Sequence, residues 1–191
     1  MDFALEHFAA FGYEKASTNQ IIRQAGISKG ILFHYFTSKR QLYLTVLDRG
    51  LSRIGEFMSR ETAAAPADLF DRIAAVACAK LRFYMKEPAT YKLLVDAFSF
   101  PPLDEVKDEL AERRRRMAEH ASVRLEDIDC SKLRQDVDPA MAFDLVAGVA
   151  NWLSTRFIER HREQPDGGLS RMEAFVDELN AHLRMLKTGI Y

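Results

Sequence analysis

The chain has 191 residues, 27 Lys+Arg against 28 Asp+Glu, a formal net charge of −1, and 48% hydrophobic with 29% charged residues. That balance excludes a disordered or collagen-like chain and leaves room for one large domain, or a small one joined to a larger one. Two cysteines, Cys78 and Cys130, exclude a disulfide-stapled secreted scaffold, and no apolar run reaches the roughly 18–20 residues of a membrane span. With no signal-peptide pattern either, a cytoplasmic protein without a membrane partner is expected.

Proline and glycine are scarce, six and nine, and apolar residues recur at three- and four-residue spacings, which predicts an all-α chain. Phe3, Leu5, Phe8 and Phe11 mark a first helix ending at Gly12. Ser17 followed by Gln20 reads as a capping box opening a second helix that Gly26 ends. Ser28 can cap a third, short helix through Phe36, and Ser38 with Gln41 is a second capping box at the head of a long fourth helix. Further helices are expected over about 68–85, 88–98, ended by Pro101-Pro102, and 103–125. Asp138-Pro139 is an N-cap with proline in the first helical position, starting a helix that fades at Gln164. Pro165-Asp166-Gly167-Gly168 is the clearest loop, and Ser170 with Glu173 reads as a capping box for the final helix.

Charge is distributed unevenly along this plan. The first 60 residues hold eight basic residues against five acids, a net +3, and the remainder carries −4. Between Lys15 and Val46 there is no acid, while five Lys/Arg and His34 are present. A basic head on an acidic body is the electrostatic pattern of a DNA-binding segment joined to a non-binding one.

Residues 17–36 read STNQIIRQAGISKGILFHYF: two short helices meeting at Gly26, with packing positions at Ile21, Ala25, Ile27, Leu32 and Tyr35. This is the apolar skeleton of a helix-turn-helix, and a helical hairpin buried in an ordinary bundle would show much of it. With Phe8, Gly12, Tyr13, Ile21, Ala25, Gly26, Ser28-Lys29-Gly30, Leu32, His34-Tyr35-Phe36, Ser38-Lys39 and Leu42, the segment resembles the N-terminal domain of the tetracycline-repressor (TetR) family. The matched positions cover about the first quarter of the chain.

The resemblance implies a homodimeric transcriptional regulator, expected to be a repressor, that binds a palindromic double-stranded DNA operator and is released by a small effector of apolar or aromatic character. It divides the chain into a three-helix helix-turn-helix DNA-binding domain over 1–45 and a larger helical ligand-binding and dimerisation domain over 46–191. Recognition falls to residues 28–36. Lys29 and His34 would contact phosphate or base edges, and Gly30 would allow close approach to the backbone. Phe33 and Tyr35 stand where the family uses one aromatic for packing and one for phosphate contact. Lys39 matches a phosphate-binding lysine. Ser17, Thr18 and Ser28 would offer hydroxyls or N–H groups to the DNA. Two departures are Ile31, where the family commonly has threonine and where an apolar side chain could meet a thymine methyl, and Ile22 in place of a common alanine. The chain opens almost inside the first helix, so the family's basic N-terminal arm is expected to be missing or very short.

By the same resemblance the middle helices hold the effector pocket, for which Phe57, Tyr84, Tyr91, Phe98, Met117, Phe143, Asn151 and Trp152 are candidates. The last two helices, over 138–161 and 170–187, form the dimer interface, with Val149, Leu153, Phe175, Leu179, Leu183 and Leu186 as contacts. The run Arg113-Arg114-Arg115-Arg116 lies among six acids and reads as a solvated helix face with i,i+4 pairing. The five histidines show no HxxxH or HExxH spacing, so no metal and no cofactor are expected, and no catalytic constellation supports an enzyme. Cys78 is expected in the core and Cys130 exposed. The alternative is a helical dimeric ligand-binding or protein-interaction module whose DNA-binding head is vestigial.

Overall fold

A computed structural model describes residues 1–99, 104–119, 124–163 and 168–191. Among them are nine α-helices and no strand, the all-α class expected: α1 Asp2–Lys15, α2 Thr18–Ala25, α3 Lys29–Tyr35, α4 Lys39–Thr62, α5 Leu69–Lys86, α6 Pro88–Ser99, α7 Lys107–Glu119, α8 Pro139–Glu163 and α9 Gly168–Ile190. Single 3-10 turns precede α7 at Asp104–Val106 and occupy Leu125–Asp127. No described helix is long and apolar enough to cross a membrane.

The local signals act where hydrogen bonding needs them. Ser28 Oγ accepts the Ile31 N–H at 3.2 Å, Ser38 Oγ accepts that of Gln41 at 3.1 Å, and Asp138 accepts that of Met141 at 2.8 Å. Each meets one of the N–H groups a helix start leaves unpaired. Gly26 closes α2 in the left-handed region at φ 66°, ψ 26°. Gly12 does not end α1. It kinks it at φ 69°, ψ 177°, a conformation nearly confined to glycine, and the helix resumes to Lys15. The charged helix over 103–125 is shorter than expected, a 3-10 turn followed by α7. α9 starts at Gly168, so Ser170 lies inside it rather than capping it. Pro101-Pro102, Gln164 and Pro165-Asp166-Gly167 fall outside the described residues.

The chain forms two compact units, Met1–Glu56 with Lys86–His120, and Phe57–Met85 with Ala121–Tyr191. In the first, Phe8, Leu42, Val46, Leu47, Leu93 and Val106 form a solvent-free core against which Ile21 and Leu32 are also buried. α7 is stapled to this unit by the arginine run. Arg113 grips Asp48 of α4 through two bonds of 2.7 and 2.6 Å, and Arg114 donates to the Phe98 carbonyl of α6 at 2.7 Å. Within the helix Arg116 makes the expected i,i+4 pair and Arg115 an i,i+3 pair, both with Glu112.

The second unit packs α5, α8 and α9 around Leu69, Leu81, Val146, Leu153 and Leu179. Asp68 caps α5 through the N–H groups of Phe70 and Asp71, and receives Lys132 Nζ and the Tyr191 hydroxyl, each at 3.0 Å. Burial alone would raise this carboxyl, but these donors, with Lys187 nearby, hold it below the usual carboxylate range. Cys78 and Cys130 are both free and half-buried against this core, so Cys130 is not the exposed thiol the polar connection implied.

Candidate nucleic-acid interface

The candidate interface is built on α2 and α3. Their inner sides carry Ile21 and Leu32, 3% and 5% exposed, into the core of the first unit, while Ala25 and Ile27 are half-buried behind them. With the inner face fixed by apolar burial and both helix starts capped by serines, the outward face of α3 is determined. It presents Lys29, Gly30, Ile31, His34 and Tyr35, all exposed. Ile31 and Tyr35 are 49% and 70% exposed, so Tyr35 is not the packing residue its spacing indicated. Phe33 and Phe36 pack there instead, and Lys29 Nζ lies 5.9 Å from the centre of the Phe33 ring. The His34 and Tyr35 rings meet edge-on at 5.2 Å. A Cβ added at Gly30 would find only Ser28 Oγ, at 3.8 Å, so the fold itself does not require glycine there.

The start of α2 holds Ser17 and Thr18, both half-buried. Ser17 Oγ accepts the Gln20 N–H at 3.4 Å, one half of the expected capping box. The reciprocal half is different: the Ser17 N–H goes to Nε2 of His7, ten residues upstream on α1, at 3.1 Å. Lys39 is also engaged within the protein. Its ammonium donates to the Glu14 carbonyl at 2.9 Å and sits 4.9 Å from the centre of the Tyr13 ring, so it ties the start of α4 to the end of α1. Neither His7 nor this use of Lys39 is signalled by local spacing.

The other candidate residues are distributed differently from their sequence reading. Of the pocket candidates, Phe57, Tyr84, Phe143, Asn151 and Trp152 belong to the second unit and Tyr91, Phe98 and Met117 to the first. Phe57 meets Phe83 at 5.4 Å, and Tyr84 is buried with its ring edge-on to His161 at 5.7 Å. Asn151, Trp152 and Met117 are exposed. A cavity of about 300 Å³ in the second unit is lined by Phe157, Arg160, His161, Arg171, Ala174, Phe175 and Glu178, none of them a pocket candidate. Among the interface candidates, Leu153, Phe175, Leu179 and Leu183 are buried within the unit's own core and cannot also form a partner's contact surface. Val149 and Leu186 are half-buried. The exposed apolar face of α8 lies instead along Met141, Leu145, Gly148 and Trp152, and Met185 of α9 is 77% exposed.

Residues 1–46 match the model of the bacterial regulatory proteins of the tetR family. The HTH-type transcriptional activator FasR of Mycolicibacterium smegmatis is 31% identical over 93 residues, 49% of this chain and 42% of its own length. The HTH-type transcriptional repressor Rv1474c of Mycobacterium tuberculosis is 33% identical over 61 residues, 32% of this chain and 33% of its own. The chain thus spans less than half the length of these curated relatives. A TetR family transcriptional regulator from Chloroflexus aurantiacus superposes with a TM-score of 0.69 at 22% identity, covering 99% of this chain and 90% of that one. AibR, solved in complex with isovaleryl coenzyme A and operator DNA, gives 0.64 at 18% identity, covering 92% and 93%. At these identities the likeness concerns the fold, and it runs along nearly the whole chain.

Proposed function

We propose that the chain is a transcriptional regulator of the tetR family, whose model residues 1–46 match, and that it binds a palindromic duplex operator as a homodimer, as a repressor released by a small effector. The observation that carries the DNA reading is the outward face of α3. Lys29, Ile31, His34 and Tyr35 project from a helix anchored by Leu32, in a stretch from Lys15 to Val46 that contains no acid. Lys29 serves as a phosphate or base-edge donor, and the Tyr35 hydroxyl as a phosphate donor. Gly30 lets the backbone approach, and Ser17, Thr18 and Ser28 flank the face with hydroxyls and helix-start N–H groups. Lys39 orients α4 against α1 rather than serving as a free phosphate lysine. Residues 1–45 form the DNA-binding domain in this reading, and 46–191 respond to effector and partner.

The dimer face is the stripe Met141, Leu145, Gly148 and Trp152 on α8 with Met185 on α9. A second copy covering it would remove exposed apolar area from water, and a dimer supplies the two recognition helices that a palindrome requires. The effector carries an apolar or aromatic portion. Acyl coenzyme A thioesters are the first class to test, because AibR of like fold was solved with one. α4 runs from residues of the first unit into residues of the second and is one covalent route by which effector binding moves the head. One relative is an activator and another a repressor by name. Transcription in vitro from a promoter overlapping the selected site decides the sign, and repression is the expected result.

Selection of duplexes from a random pool with the full chain is the direct test. A palindrome should be enriched, and its affinity should fall steeply as salt rises because phosphate contacts release counterions. Lys29→Ala should lower the magnitude of the log–log salt slope by about 1. No enrichment, or binding indifferent to salt, would make the chain a helical ligand-binding or protein-interaction module instead.

A further inference from the structure

His7 is a polar side chain in an apolar setting. It lies on α1 between Leu5 and Phe8, is 4% exposed, and rests against Phe11 with ring centres 4.6 Å apart. Buried polar groups persist where they have a hydrogen-bond partner, and the ring's partner is the Ser17 backbone N–H at 3.1 Å. Ser17 is the N-cap of α2. In a complete capping box its N–H would be taken by the Gln20 side chain, yet Gln20 is exposed and contributes only its backbone N–H to Ser17 Oγ. The imidazole on α1 therefore does what Gln20 would do locally, and the start of α2 is fixed by a residue outside the helix-turn-helix.

We propose that His7 is a positioning residue for DNA binding, holding the first turn of α2 through the Ser17 N–H only while its imidazole is neutral, so that acid loosens the head. The inference rests on the DNA-binding reading of that head. The bond needs a lone pair on Nε2, which places the single ring proton of the neutral form on Nδ1. A second proton turns Nε2 from acceptor to donor, opposes it to the Ser17 N–H, and places a charge on a ring that is only 4% exposed.

The charges around α1 point the same way. From α4, Lys39 stands at the Glu14 carbonyl and Arg53 pairs with Asp2. Tyr43 of α4 packs against Phe8 and Tyr13. From α6, Lys92 is held by the Ala9 carbonyl and Asp96, and Glu105 of the 3-10 turn bonds Tyr13. α2 contributes no acid and one base, Arg23. Of these groups Lys39 is the charge that acts on the ring. Burial first, and Lys39 second, push His7 below the usual imidazole value. The folded head therefore binds the proton less readily than the unfolded chain. The penalty is absent at neutral pH, grows as pH falls below about 6.5, and is complete below the depressed value. Ser17 and Thr18, the hydroxyls assigned to the operator backbone, sit on the turn that is released.

The test uses the full chain and a selected duplex at constant ionic strength, from pH 8 to 5.5. His7→Gln keeps an acceptor near the Nε2 position and does not titrate; His7→Leu removes the acceptor. Relative to wild type, His7→Gln should match the affinity at pH 8 and exceed it by about tenfold at pH 5.5, while His7→Leu should be weaker by about tenfold throughout. Acid effects common to all three proteins cancel in the comparison, so the readout is the difference between profiles. Nitrogen-15 NMR of the imidazole at pH 8 should show Nδ1 protonated and Nε2 bare. A His7→Gln profile parallel to wild type, or a proton on Nε2, overturns the inference while leaving DNA binding in place. Failure to enrich any duplex overturns the DNA-binding reading and this inference with it.

Discussion

The outward faces of α3 and α8 share an apolar and aromatic character but differ in electrostatic setting. Ile31 and Tyr35 protrude from the one, Met141, Leu145 and Trp152 from the other. On α3 they stand beside Lys29 in an acid-free stretch, and on α8 the exposed acids Asp144 and Glu159 share the helix with Arg160 and with Arg156, whose guanidinium lies over Trp152. An apolar side chain beside a cation and away from acids can approach a polyanion, whereas one among charges of both signs gains most by meeting another apolar face. The partner of an exposed hydrophobic residue is thus read from the charge within a Debye length of it, about 8–10 Å at ordinary salt, more than from the residue itself.

The sharpest way to break this contrast is to confuse core with face in the second unit. Leu179 has no exposure and Met185 lies six residues further along the same helix with most of its surface in water. Leu179→Ala should cost about 3 kcal/mol of unfolding free energy, because it removes buried methyl groups and leaves a cavity. Met185→Ala should change the stability of the isolated chain by less than about 0.5 kcal/mol. Urea unfolding, followed by circular dichroism at low protein concentration, measures both. Near-equal losses would mean that α9 does not present these two faces as described.

Trp152→Glu addresses the α8 face alone. Arg156 lies over the Trp152 ring at 4.2 Å, so a glutamate at 152 finds a favourable i,i+4 partner and the helix is kept. Sedimentation should then show a monomer. Affinity for a palindromic duplex should fall by about 100-fold through loss of the second, linked contact, while affinity for a half-site stays the same. A variant that remains dimeric would move the interface off this stripe.

What could be read in the sequence was local. Ser28, Asp138 and Gly26 act within three or four residues of themselves, so their caps and turn are written in spacing. The all-helical class and the recognition segment followed from the same short-range pattern. The exposed side of α8 and α9 did not, because these helices carry apolar residues on two sides, and periodicity does not say which side is inward. Leu153 and Leu183 were indistinguishable in kind from Leu145 and Met185 until the packing of α5 decided between them. Contacts across long chain separations were equally invisible. Lys39 reaches Glu14, Asp68 receives Tyr191, and His7 takes the N–H that Gln20 was expected to hold. The pocket candidates share little beyond residue type, which does not distinguish core aromatics from exposed ones.

The smallest expected effect sharpens the α3 side of the comparison. If Ile31 approaches base edges in the major groove, the group that rewards it is the thymine C5-methyl, since an isoleucine side chain has no donor or acceptor to offer. Replacing thymine by uracil deletes that methyl and leaves the base's hydrogen-bonding edge intact. At the contacted position the substitution should weaken binding about threefold, a loss of roughly one buried methyl contact. In Ile31→Ala the same substitution should matter less, because the partner of the methyl is gone, and the two losses should therefore be less than additive. A selected site scanned thymine by thymine, with fluorescence anisotropy for wild type and variant, gives this coupling directly. Uracil tolerated everywhere, or uracil sensitivity that persists undiminished in Ile31→Ala, would place Ile31 away from the bases. Its exposure would then have the meaning proposed for that of Met141 on α8, a face for protein rather than DNA.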